Sequence, residues 1–126
     1  MVLIGLDYGR ERTGFAIFME GLVLPAEPVF GSWSKILERL VEHTERYDDI
    51  KVILGLPLSA LGKSTELSLE VEEFAERLGE SGYCVELVNE VGSSAAAVKL
   101  LGKKDRKGHV DSLAACEILK RYLNLT

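Results

Sequence analysis

The stretch VLIGLDYGRERTGFAIF, residues 2–18, decides how this chain is read. Val2 to Leu6 are apolar without a break and deliver a carboxylate, Asp7; Gly9 then reverses the chain, and Arg12 to Phe18 make a second apolar run. Such runs, bounded by a turn signal, read as strands of a hairpin. An acid at the end of a buried strand is costly if it is left without a partner. Asp7 is therefore either a turn acid assisting Gly9 or a group kept for a metal or a phosphate, and the cost of burial favours the second reading.

Outward from this hairpin the pattern alternates. GLVL, residues 21–24, predicts a short third strand before Pro25 and Pro28, with Glu20-Gly21 as a tight reversal. Trp33, Ile36, Leu37, Leu40, Val41, Thr44 and Tyr47 recur at the three- and four-residue spacings of an amphipathic helix, with Ser32 or Ser34 as its cap. KVILGLP, residues 51–57, is a buried parallel strand ended by Gly55 and Pro57. A second helix runs through Leu67, Val71, Phe74 and Leu78; YCVELVNE, residues 83–90, is the fifth strand. SSAAAVKLL predicts a third helix capped by Ser93 or Ser94, and a last one spans about His109 to Tyr122. Right-handed crossovers then place the fourth and fifth strands parallel to the first, with the three hairpin strands on one side of a mixed five-stranded α/β sheet. Ligands of such sheets gather at the carboxyl ends of the parallel strands. Asp7, the GLP turn and Glu90 all fall at that edge.

Composition narrows the class. At 126 residues and 47% hydrophobic, the chain suits one domain, 1–126. No apolar run approaches the roughly 20 residues of a membrane helix, and the expectation is a soluble, cytoplasmic protein. Cys84 and Cys116 lack CxxC or Cys/His spacing, so neither a zinc site nor a disulfide framework is expected, and both read as small core residues. The net charge of −5 is unevenly spread: KLLGKKDRKGH, residues 99–109, carries +4, leaving −9 elsewhere. A basic loop on an acidic body is either a solvated connection or a phosphate-binding surface.

Four segments, LDYGRERTGFA, GLPLSALGKS, VNEVGSSAAA and HVDSLAACEILKRYL, together resemble the YqgF family, described as Holliday junction resolvases and as nucleases that mature the precursor of small-subunit ribosomal RNA. The resemblance runs the whole length of the chain, with the motifs in family order. It implies a ribonuclease H-like fold, a nucleic-acid partner in the form of structured RNA or branched DNA, and acidic residues working with Mg2+ or Mn2+. The residues matching the family's acidic positions are Asp7, Glu90 and Asp111. In-line cleavage of a phosphodiester needs an activated water and neutralised phosphate charge, which two cations about 4 Å apart supply together. Magnesium is held by a few carboxylates plus the substrate's own phosphate, so three acids at one edge suffice.

Taken singly, the acids say less. Asp111 reads as a first-turn acid or cap of the last helix, and Glu90 equally as the polar end of an edge strand. Geometry adds a condition: with the fourth strand between the first and fifth, Asp7 and Glu90 start about 10 Å apart, twice the strand spacing. Glu90 must lean inward to share a metal; otherwise the site reduces to Asp7 and Asp111.

Arg10, Arg12, Lys63, Lys103, Lys104, Arg106, Lys107 and His109 are the candidate contacts to the nucleic-acid backbone. His109 is also a candidate general acid, and His43 reads as solvated on the polar side of its helix. Trp33 reads as core. The chain departs from the family pattern at Glu11, where a basic residue is usual, and at Asn89 and Val91, which flank Glu90 where the family has aspartate and arginine. A relative that binds nucleic acid without cutting it is therefore the alternative to an active nuclease. A phosphate-binding fold of the actin or sugar-kinase kind also opens with a strand ending Asp-x-Gly, but needs a duplicated domain to enclose ATP. Neither a monomer nor a homodimer is marked by any motif.

Overall fold

A computed structural model describes residues 1–91 and 109–124, and of residues 91 and 109–111 the backbone alone. In chain order the elements are β1 (Val2–Asp7), β2 (Arg12–Met19), β3 (Leu22–Phe30), α1 (Trp33–Arg46), β4 (Ile50–Leu58), α2 (Glu66–Glu80), β5 (Val85–Val91) and α3 (His109–Asn124). The strands form one five-stranded sheet in the order β3-β2-β1-β4-β5. The β1–β2 and β2–β3 pairs are antiparallel, whereas β4 is parallel to β1 and β5 to β4. The helix expected over residues 93–101 and the basic loop after it lie outside the described residues.

Alternation along β1 explains the two-layered core, since successive side chains of a strand point to opposite faces. Ile4, Leu6 and Tyr8 join Val52, Leu54 and Leu56 of β4 against Ile36 and Leu40 of α1 and Val71, Phe74 and Leu78 of α2. On the other face Leu3, Ile53 and Val88 meet Ala115, Ile118 and Leu119 of α3. Here α3 lies unusually close to the sheet, because a Cβ on Gly5 would stand 2.6 Å from Leu119 Cγ. Glu20 and Gly21 both take positive φ, 51° and 80°, as the two central residues of a type I′ hairpin turn must.

Several expectations are corrected. β3 does not stop at Leu24 but continues through Pro25 and Pro28 to Phe30. Pro25 pairs with Ala16, and the register shift between Thr13 and Phe15 leaves Glu27 and Pro28 opposite Gly14 in a bulge. β3 is an outer strand, and edges and bulges are where a residue without an N–H is tolerated. Gly55 and Pro57 likewise lie within β4 and do not end it. Cys84 is exposed, and only Cys116 is a core residue.

His43 is buried, not solvated. Its ring stacks near Phe15 at 6.0 Å and Tyr47 at 6.2 Å between centroids. Burial, with Arg39 and Arg46 adding to it and Glu42 opposing, pushes its pKa below 6.5. Tyr47 follows α1 as its C-cap. Ser32 stands at the N-cap, but its hydroxyl meets Ser34 Oγ at 3.0 Å and not the helix backbone. The cap of α2 went unread in the sequence: Thr65 Oγ1 accepts from Ser68 N at 3.0 Å while Thr65 N donates to Ser68 Oγ at 2.7 Å, a capping box.

Candidate active site

Asp7 ends β1 on the face covered by α3, and at 9% exposure it is nearly buried. The turn behind it is tight: a Cβ on Gly9 would collide with the carbonyl oxygen of Arg12. Thr13 closes the turn, its hydroxyl donating to Gly9 O and accepting from Gly9 N, both at 3.3 Å.

β4 separates Asp7 from Glu90. Leu6 pairs with Leu54, so Asp7 stands beside Gly55; across β4, Pro57 pairs with Glu90. The Glu90 side chain does not follow its own strand outward. Its Oε2 and Cδ lie 2.7 and 3.0 Å from the place a Cβ would take on Gly55. The glutamate thus leans inward over β4, toward the strand that carries Asp7. Gly55 makes this possible by leaving the space empty.

Asp111 lies in the first turn of α3, which is pinned to the sheet by the next residue: Ser112 Oγ donates to Ala26 O of β3 at 2.7 Å. Its side chain, like that of His109, is outside the described residues. Among the described residues no group of three His, Cys, Asp or Glu side chains stands close enough to hold a metal ion. Asp7 and Glu90 share the α3 face. Both are hard oxygen donors of the kind that suits Mg2+ or Mn2+.

The expected nucleic-acid contacts are dispersed. Arg12 opens β2 and is half-buried, while Lys63 is exposed in the loop after β4. That loop is closed on itself, with Ser59 N donating to Lys63 O at 2.9 Å and Lys63 N to Ser59 Oγ at 3.1 Å. Lys103, Lys104, Arg106 and Lys107 lie outside the described residues. Arg10 is exposed, but its Nε donates to Glu70 Oε2 of α2 at 2.8 Å. Glu70 Oε1 accepts from Tyr8 OH at 2.9 Å, and Tyr8 OH accepts from Trp33 Nε1 at 2.7 Å. Sequence reasoning did not find Glu70. An acid in an amphipathic helix reads as solvated surface, and only the topology brings α2 beside the turn that follows Asp7.

The departures from the family pattern have different surroundings. Asn89 is exposed, and its carbonyl accepts from Arg121 Nη1 of α3 at 3.3 Å. Glu11 is exposed, and its carbonyl accepts from Gly31 N at 2.9 Å, so the residue serves the β1–β2 turn through its backbone. Among the described residues no helix is long and apolar enough to cross a membrane.

Known proteins share this fold. Two solved structures match nearly the whole chain: the Thermus thermophilus RuvC structure, with a TM-score of 0.59 at 17% identity covering 99% of this chain and 96% of that one, and T. thermophilus RuvC in complex with Holliday junction substrate, with a TM-score of 0.57 at 18% identity and the same coverage. At such identities the likeness is one of fold, and the fold is ribonuclease H-like. Sequence relatives are closer. A protein of Mycoplasmopsis synoviae named "Putative pre-16S rRNA nuclease" is 34% identical, covering 97% of this chain and 96% of its own. A protein of the same name from Prosthecochloris aestuarii is 33% identical, covering 97% and 92%. The family model described as "RuvX: Holliday junction resolvase" matches residues 1–125. The sheet order, the acid closing β1 and this match over nearly every residue lead to one conclusion: the chain belongs to the RuvX family of nucleases.

Proposed function

We propose that this chain is a divalent-metal-dependent endonuclease of structured nucleic acid, acting in the cytoplasm on the 5′ end of precursor 16S ribosomal RNA, with Asp7, Glu90 and Asp111 holding the metal. The observation that carries the reading is the inward lean of Glu90 across Gly55 on the face that also bears Asp7. That lean brings a second carboxylate over β4 toward the strand whose end carries Asp7. Mg2+ or Mn2+ bound there would neutralise charge on the scissile phosphate and lower the pKa of an attacking water.

The chain's own residues supply the rest. The near-complete burial of Asp7 keeps bulk water from screening its charge, so a cation is attracted more strongly than at an open surface. Asp111, at the amino end of α3, stands where a helix favours negative charge. Lys63 and Arg12, with Lys103, Lys104, Arg106, Lys107 and His109, are assigned to the phosphate backbone, where cations position the substrate without reading its sequence. The names of the curated relatives favour ribosomal RNA as substrate. The family description favours a second reading, resolution of a four-way DNA junction. A symmetric pair of cuts there requires a homodimer, whereas the processing of one RNA end is open to a monomer.

Cleavage of a ribosomal RNA precursor fragment and of a four-way DNA junction, each with Mg2+ or Mn2+, tests both readings. Metal-dependent cutting of the RNA alone supports the first and cutting of the junction alone the second. Binding of both without cutting in either metal would replace them with a nucleic-acid-binding relative, for which Asn89 and Val91 are the residues to restore.

A further inference from the structure

Tyr8, Gly9 and Arg10 follow Asp7 directly, and the residues on either side of Gly9 end on one carboxylate. Tyr8 OH donates to Glu70 Oε1 at 2.9 Å, and Arg10 Nε to Glu70 Oε2 at 2.8 Å. Tyr8 is otherwise held by apolar contact and by Trp33. Its ring lies 5.5 Å from that of Phe74, its hydroxyl accepts from Trp33 Nε1 at 2.7 Å, and the Trp33 ring in turn lies 5.3 Å from Phe74 and 5.1 Å below the Arg77 guanidinium.

The turn's internal bonds are long. The two Thr13–Gly9 contacts are 3.3 Å each, at the weak end of hydrogen bonding. Bonds to an ionised acceptor are shorter and roughly twice as strong. A further restraint on this turn comes from α2, where Tyr8 and Arg10 meet one carboxylate. Because side chains alternate across a strand, fixing Tyr8 on the α2 face fixes the direction of Asp7 on the α3 face.

We propose that Glu70 is a positioning residue for the candidate nuclease site: it clamps the turn after β1 so that Asp7 faces Glu90 across Gly55. This rests on the functional reading given above. Arg10 then belongs to the architecture of the site, not to substrate contact. Glu70 touches neither substrate nor metal; it acts through Tyr8 and Arg10. The carboxylate is suited to this work, since the Arg10 guanidinium, followed by the Tyr8 hydroxyl, holds its pKa below 4.5 against the opposing effect of burial.

The test compares Glu70→Ala and Glu70→Gln with the unaltered chain by amide hydrogen exchange and by steady-state cleavage. Glu70→Ala is expected to raise exchange at residues 8–12 about tenfold and to lower kcat by a similar factor at unchanged KM, with α3 exchange unchanged. Glu70→Gln keeps one carbonyl oxygen, and so an acceptor for one of the two partners only, and is expected to recover part of each loss. Unchanged exchange in the turn overturns the proposal, as does a loosened turn with full kcat. Weaker nucleic-acid binding at constant kcat also overturns it, because that would make Arg10 and Glu70 part of the substrate surface. Should the unaltered chain cut nothing, the functional reading fails on its own, and the exchange comparison still decides whether Glu70 holds the turn.

Discussion

The Glu90 carboxylate fills the space that a side chain on Gly55 would need, with Oε2 2.7 Å from the Cβ position there. Ile118 of α3 closes the same space from above, its Cδ1 2.5 Å from that position. A residue of the inner strand β4 is thus bare, and an acid of the outer strand β5 crosses it. Gly55→Ala is expected to cost about 1–3 kcal/mol by overpacking and to displace Glu90. Thermal denaturation and metal-dependent cleavage check this together: the fold should survive and cleavage should not. Cleavage equal to that of the unaltered chain would show that the crossing of Glu90 is dispensable.

Asp7→Asn keeps the shape of the side chain and removes its charge. The variant is expected to retain its melting temperature within a few degrees, to lose cleavage by about 100-fold or more, and to bind Mn2+ more weakly. Titration with Mn2+ separates a lost metal from a disturbed substrate. Full cleavage by this variant would remove Asp7 from the site.

His43 gives the fold a defined acid sensitivity. Its folded pKa lies below 6.5 because burial disfavours the charged ring, with Arg39 and Arg46 adding to the effect. As pH falls below about 6.5, the unfolded chain takes up a proton that the folded chain refuses, so stability declines until the folded pKa is passed. For one group the slope cannot exceed about 1.4 kcal/mol per pH unit. His43→Leu is expected to flatten the stability profile between pH 7 and the acid range. Urea denaturation at several pH values reads the slope directly, and an unchanged slope would place the acid sensitivity elsewhere.

The cap of α2 sets the start of the helix that carries Glu70. Thr65 Oγ1 accepts from Ser68 N and also donates to Pro57 O at 3.1 Å, tying the helix to the end of β4. Thr65→Ala is expected to cost about 1 kcal/mol, measured by denaturant unfolding. A cost near zero would mean that packing alone fixes the helix start.

The strand order was legible because unlike signals agreed. Val2–Leu6 and Val52–Leu54 are apolar without interruption, as buried central strands are, while the Glu20-Gly21 turn identified the hairpin. The length of β3 was not legible, since proline reads as a stop unless the strand is known to lie at an edge, and edge position is a property of the whole sheet. For the same reason Gly55 read as a strand end, although its meaning is the room it leaves for Glu90. His43 read as solvated from its polar side chain, although it stands seven residues after Ile36 and three after Leu40, on the buried stripe of α1; the ring is covered by Phe15 and Tyr47, which come from β2 and the segment after the helix. At the candidate site the acids were legible one by one from strand ends and helix starts. The Tyr8–Glu70–Arg10 clamp was not, because its members are 60 and 62 residues apart and no local pattern joins them.

The two prolines of β3 have a consequence for the molecule among its neighbours. A strand approaching from outside would align against backbone that offers no N–H at residues 25 and 28 and is kinked by a bulge between them. Such an edge is a poor template for further pairing, and proteins use this combination to keep sheets from growing into aggregates. The same interruptions that hid the strand in the sequence protect it in solution.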